Sequence, residues 1–302
     1  MVFVKKTDTL FAKRSIIVAA SFGLLTSIFL ITTGDESAHE VALKQPTKLA
    51  AMEGLYDGAR REGIVAIGQL TLDKKIGDKK DEFVWSVKIP YALSFLGFRD
   101  INAFVPGIDD LVFGNKTMNI EPASEKLAKG KIALQSLRDY KNAKKVYDAK
   151  KSQESLKTFR MYEKYLGYGY LKNPTDIIPP VALSFYSFHI MVGLGTWFLV
   201  LFLLMLYFSM TGKIEDKKLL QRLAILSIPL GYVAGEVGWI VAEVGRQPWA
   251  IQGMLPTAVA TSHLASNSVA ITLTLFAVLF TALLIAEIKI MLSQIKLGIK
   301  GA

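Results

Sequence analysis

The chain has 302 residues, 51% of them hydrophobic and gathered into several apolar runs of spanning length, which excludes an ordinary soluble domain and predicts an all-α integral membrane protein. Its formal net charge of +10 resides in lysines that flank those runs or sit in one long polar insert, with no basic patch interleaved by aromatics, so no nucleic-acid partner is expected. The absence of cysteine rules out disulfides, Cys-ligated iron–sulfur clusters and thiolate haem, and leaves His, Met and carboxylate for any metal chemistry.

Residues 1–14 carry Lys5, Lys6, Lys13 and Arg14, and Ser15 to Thr33 is an apolar run. The run is long for a signal-peptide core, and no small-residue cleavage pattern precedes the acidic turn at Gly34 to Ser37, so residues 1–34 read as a retained first spanning helix. Residues 35–178 are polar and hold no spanning run, which makes them one large, largely helical extramembrane insert. Inside it, Gln45 to Tyr56 (QPTKLAAMEGLY) predicts an amphipathic helix opened by Pro46, with Leu49, Met52, Leu55 and Tyr56 at helical spacing. Lys48 and Glu53 are five apart, about 140° around the axis, so they form no simple ion pair. They can approach one ligand from two sides, although spacing alone favours a solvated helix with two unrelated charges. Ile89 to Phe98 is too short to span and suits the membrane interface. Ala123 to Tyr165, rich in Lys, Glu and Ala, reads as a surface helix or helical hairpin.

Residues 179–302 predict a three-helix transmembrane bundle, which with the first helix makes four spans. Pro179 and Pro180 open the second span, about Val181 to Met210, at its favoured first turn. It carries His189 and Met191, about 200° apart, which cannot both reach one metal from the same face. Taken alone, each has an ordinary reading, as a satisfied polar group and a core methionine. The third span runs from about Leu219 to Val244 and the fourth from about Ser266 to Leu292. Lys213, Lys217, Lys218 and Arg222 lie in one connection and Lys289, Lys296 and Lys300 near the C-terminus, whereas Gly245 to Ala265 has only Arg246. By the positive-inside rule this puts the N-terminus in the cytoplasm and residues 35–178 outside.

The end of the third span is its least greasy part. In EVGWIVAEVGRQPW, Glu236 to Trp249, the residues Glu236, Trp239, Glu243 and Arg246 follow spacings of 3, 4 and 3 and stack on one helical face. Ionisable groups inside a bilayer are costly and face a bundle interior, one another or a cofactor. A boundary ion pair between Glu243 and Arg246 is the plainer alternative.

The stretches QPTKLAAMEG, FYSFHIMVGLG and above all GWIVAEVGRQPWAIQGMLPTAVATS resemble the C-terminal part of subunit I of the cytochrome bd quinol oxidases, a likeness that covers nearly the whole chain. The resemblance implies an enzyme of the bacterial inner membrane that oxidises quinol on its outer side, through the insert. Electrons then pass over a low-spin haem b, a high-spin haem b and haem d to dioxygen, forming water. Carried over by motif, the resemblance makes Lys48 and Glu53 the quinol-binding residues and Met191 an axial ligand of the low-spin haem b. It makes Glu243 the carboxylate ligand of a high-spin haem, Trp239 the aromatic beside the haem pair, and Arg246 the partner of haem propionates. His189 stands at a cofactor-binding position where the family usually shows arginine. Glu236, two turns deeper than Glu243, is expected to serve proton delivery or the haem environment.

The family subunit has further spanning helices ahead of the present first one, with haem-ligating histidines that His39, His189 and His263 do not match. Those helices and subunit II are therefore the implied partners, beside quinol, dioxygen and the lipid bilayer. Two other classes compete. A proton or cation transporter would use Glu236 and Glu243 and show inverted repeats or broken helices, neither of which the sequence displays. A membrane-anchored receptor would bind its ligand through the insert alone.

Overall fold

The computed structural model of the chain describes residues 9–262 and 264–297. Lys5, Lys6, His263 and Lys300, which entered the readings above, lie outside the described residues. The first apolar run forms α1, Thr9–Lys44, which continues through the Gly34–Ser37 stretch expected to turn. Tertiary contacts explain the continuation. Arg99 grips Asp35 with two bonds of 3.0 and 2.6 Å, and the His39 Nδ1 lies 2.7 Å from the Gly97 carbonyl oxygen. Ala42 packs in one cluster with Leu49 and Leu93, so burial outweighs a weak local breaker.

After α1 the insert begins with α2, Pro46–Glu53, opened by Pro46 and closed by Gly54 at φ +64°. Its residues Thr47, Leu49, Ala50, Ala51, Met52 and Glu53 are all buried, which corrects the solvated helix favoured by spacing. The strands β1 (Ala59–Arg60), β2 (Ile64–Leu70) and β3 (Phe83–Ile89) follow, then α3 (Ala92–Phe98), β4 (Phe104–Val105) and α4 (Ile108–Phe113). β2 and β3 form an antiparallel hairpin that pairs Val65 with Lys88 and Leu70 with Phe83, while β1 pairs with β4. These small sheets are an addition to the all-α expectation, built where aromatic and β-branched residues cluster in FVWSVKI. α5 (Ala123–Lys145) and α6 (Ala149–Tyr162) form the expected helical hairpin, and Asp148 caps α6 by accepting the Lys151 N–H at 3.0 Å.

The second span is α7, Val181–Met210. The third is not straight: α8 (Lys218–Leu226) and α9 (Ile228–Glu243) meet at a 41° bend, which corrects the single span expected over Leu219–Val244. Pro229 lacks an N–H and its ring displaces the carbonyl one turn back, so the break has a local cause legible in the sequence. Trp197 of α7 fastens the bend, donating Nε1–H to the Ser227 hydroxyl at 2.8 Å, while Ser227 donates to the Leu223 carbonyl at 2.7 Å. Beyond α9, β5 (Trp249–Ile251) and β6 (Leu255–Pro256) close a small antiparallel turn. The chain divides into two units after Val259, and the second holds α10, Ser266–Leu297. Among the described residues, Thr9–Lys44, Pro174–Met210 and Ser266–Lys296 are each long and apolar enough to cross a membrane, and the bent pair counts as a fourth span when its two helices are taken together. The protein is thus a multi-pass helical membrane protein.

Candidate functional site

Two groups of polar residues converge on α2 from different directions. At its C-terminal end, Glu53 is 3% exposed. Its carboxylate lies against the Val65 backbone, and Oε2 has no partner among the described residues. Burial pushes this carboxyl up to about 8, against the opposing pull of the Val65 backbone and of Lys88, and with the help of Glu62. Glu53 therefore holds a proton at neutral pH. Gly54 beside it admits no side chain, because a Cβ would sit 2.6 Å from Leu70 Cδ2 and its φ is left-handed.

The β2–β3 hairpin covers this carboxyl and is anchored on the first turns of α7. Phe185, 1% exposed, packs with Val65 and Leu70. The Leu70 N–H donates to the Tyr186 hydroxyl at 3.1 Å. The two ring nitrogens of His189 lie 2.8 Å from the carbonyl oxygens of Phe185 and Val65. On the hairpin itself, Lys88 pairs with Glu62 at 2.9 Å.

Lys48 faces away from all this. Its stem lies over Gly245, with Cε 3.4 Å from where a Cβ would be, beside Glu243 and Arg246. Burial and the neighbouring guanidinium of Arg246 push its ammonium below the usual lysine range, and the carboxylate of Glu243 opposes them. Lys48, although part of the insert, thus meets the end of α9.

Glu243 and Arg246 are paired, the plainer of the two readings of their spacing. Arg246 Nε and Nη2 both donate to Glu243 Oε2, at 3.1 and 2.5 Å, while Nη1 donates to the Ala250 carbonyl at 3.1 Å. Among the described residues no bond is made to Oε1. The turn is locked from below. Gln247 donates to the Glu243 carbonyl at 3.0 Å and accepts from Thr257 at 2.8 Å. Trp249 is 1% exposed and meets Tyr168 edge-on with ring centroids 4.9 Å apart, so this tryptophan belongs to the core, with its indole N–H unpartnered among the described residues.

Higher on α9, Glu236 is exposed and Trp239 is 63% exposed, on one face of the helix. They share that face in sequence but are not joined to the Glu243–Arg246 pair by any hydrogen bond among the described residues. Met191 leaves α7 towards α9, with its sulfur 3.1 Å from where a Gly238 Cβ would stand. It therefore points away from the hairpin that His189 touches, as the 200° separation requires. Gly193, Gly195 and Gly235 each border open space, so a flat group can approach the backbone of both helices there. Thioether and carboxylate are both haem-iron ligand chemistries, which fits the donor set left by a chain without cysteine. Sequence reasoning missed Tyr186, which lay in the quoted FYSFHIM run, and the Val65 backbone, which carries no sequence signal at all.

The family described as Cytochrome bd terminal oxidase subunit I matches residues 1–299. The chain is 33% identical to the Cytochrome bd-II ubiquinol oxidase subunit 1 of Escherichia coli (strain K12), over 95% of this chain and 55% of that protein. It is 28% identical to the Cytochrome bd ubiquinol oxidase subunit 1 of Bacillus subtilis (strain 168), over 97% of this chain and 51% of the relative. The fold is shared with the bd oxidase structure from Geobacillus thermodenitrificans, with a TM-score of 0.59 and 22% identity over 96% of this chain and 50% of that one. The chain spans about half the length of these relatives. A transporter reading has no support in these likenesses, and the bend that it called for is explained by Pro229. The chain belongs to the family of cytochrome bd terminal oxidase subunit I, an oxidoreductase family of respiratory electron transport.

Proposed function

We propose that the chain is the C-terminal portion of a quinol-oxidising subunit I that works with the helices preceding it in the family and with subunit II. In this reading residues 35–178 form the quinol-binding insert on the outer face of the bacterial inner membrane and the N-terminus is cytoplasmic. The observation that carries it is the buried carboxyl of Glu53, one oxygen of which has no partner among the described residues. A buried carboxyl without a partner is costly, and a quinol hydroxyl supplies the donor it lacks.

In its ionised form Glu53 accepts the quinol proton at Oε2 as general base, while Val65 keeps the carboxyl oriented. Lys48 adds a positive charge between the insert and the end of α9. Met191 would hold the low-spin haem b, and Glu243 one of the high-spin haems, b or d. Bound there, these groups supply one-electron transfer and the place where dioxygen is reduced to water. Arg246 then offers its paired N–H donors to a propionate, and Glu236 and Trp239 border the same face.

The test is substitution in the complete oxidase. Lys48→Ala and Glu53→Ala are expected to depress quinol oxidation while haem content stays near that of the parent. Equal loss of haem and activity points instead to a folding role.

A further inference from the structure

His189 occupies a position that the family resemblance gives to the cofactor, but both of its ring nitrogens face backbone carbonyl oxygens at 2.8 Å. Neither is turned towards a metal or a propionate. Its ring lies over Phe185, centroids 4.0 Å apart, and meets Phe188 edge-on. We propose that His189, together with Tyr186, is a positioning residue of the quinol site, latching strand β2 over the carboxyl of Glu53. The inference rests on reading Glu53 as the carboxyl of that site.

The geometry runs through a single residue. Val65 meets His189 through its carbonyl oxygen, and its backbone lies against the Glu53 carboxyl. A shift of His189 therefore moves the backbone against which the carboxyl rests. Five residues further along β2, Leu70 donates its N–H to the Tyr186 hydroxyl, so α7 holds the strand at two points. Between the two latches Phe185 fills the space under the hairpin, and Gly54 below cannot carry a Cβ against Leu70. Every route by which a ligand reaches Glu53 from the hairpin side displaces β2, so the latches set how easily the site forms around a quinol. The same helix carries Met191 in another direction, which leaves His189 free of the proposed ligand's side of α7.

The experiment compares His189→Phe, His189→Gln and Tyr186→Phe in the complete membrane-bound oxidase, with ubiquinol-1 as the probe. Loss of one neutral hydrogen bond changes an equilibrium about fivefold. His189→Phe is expected to raise the quinol KM by about that factor or more, with kcat reduced less and with the reduced-minus-oxidised low-spin haem band unmoved. His189→Gln, whose side-chain amide can still reach the Val65 carbonyl, is expected to recover most of the loss. Tyr186→Phe gives a smaller rise of the same kind. A shifted or diminished haem band with an unchanged KM in His189→Phe overturns the proposal and returns the residue to the cofactor. If that variant fails to assemble, the test passes to Tyr186→Phe, where a raised KM with an unmoved haem band supports the latch and an unchanged KM overturns it. Glu53→Gln separates the two readings. Wild-type quinol oxidation in that variant removes the quinol-site assignment itself, whereas a Glu53 defect beside insensitive latch variants removes only the latch.

Discussion

Glu53 and Glu243 each end a helix, yet they sit in opposite surroundings. Glu53 is sealed under a hairpin with one oxygen unpartnered among the described residues, and burial keeps it protonated near neutrality. The Glu243 side chain is 39% exposed, and both of its Arg246 bonds fall on one oxygen. The pair shows how environment, rather than residue type, divides the work of two carboxylates: one is buried beside a hairpin and suited to exchanging a proton, the other is half-exposed and held by a guanidinium. Lys48 stands between them, on the same short helix as Glu53 but against the turn that holds Glu243.

The largest expected effect breaks the Glu243 half. Glu243→Ala is expected to remove or disorder a high-spin haem, and Glu243→Asp, one methylene shorter, to weaken it less, as read by haem extraction and optical spectroscopy. Full occupancy with an unchanged spectrum in Glu243→Ala leaves only the boundary ion pair. Arg246→Lys replaces two bonds on Oε2 with a single point charge and is expected to lower haem retention by a smaller factor.

The next effect sharpens the Glu53 half through pH. Its folded-state value lies above its ordinary value of 4.5, so the base form appears only as pH rises through about 8. Quinol oxidation is expected to increase over that range in the parent and to lose the dependence in Glu53→Gln. The same shift acts on stability with the opposite sign. Between 4.5 and about 8 the folded chain keeps a proton that the unfolded chain releases, so stability is greatest below 4.5 and declines as pH rises through about 8. Lys88 and Glu62 are the charged neighbours that tune this value. Protease cleavage of the β2–β3 hairpin is the readout, faster at pH 9 than at pH 6 in the parent and level in Glu53→Gln.

The smallest effect lies away from both carboxylates. Trp197→Phe removes the donor to Ser227 and is expected to cost about 1 kcal/mol, seen as a slightly lower thermal midpoint with unchanged quinol KM.

Much of this was legible in the chain itself. Apolar length gave the spans, Pro46 and Pro180 marked two helix starts, and the 3, 4, 3 spacing anticipated that Glu243 and Arg246 would meet. Other features were not, for physical reasons. The continuation of α1 past Gly34 depends on Arg99, which lies 64 residues from Asp35. The burial of Glu53 depends on strands β2 and β3 and on Phe185, none of which lies within its own helix. Helical spacing sees only the helix, so it reported a solvated face where a hairpin closes over it. Pro229 was visible and marks the bend, but a long apolar run masked it.

The most direct measurement of the division between the two carboxylates is haem reduction in Glu53→Gln by two reductants. Dithionite bypasses the insert and quinol does not. The expected result is a full set of haem bands with dithionite and reduction by ubiquinol-1 slowed about tenfold or more. Loss of the bands with both reductants, or reduction by quinol at the parent rate, contradicts the assignment of Glu53 to the quinol rather than to the haem side.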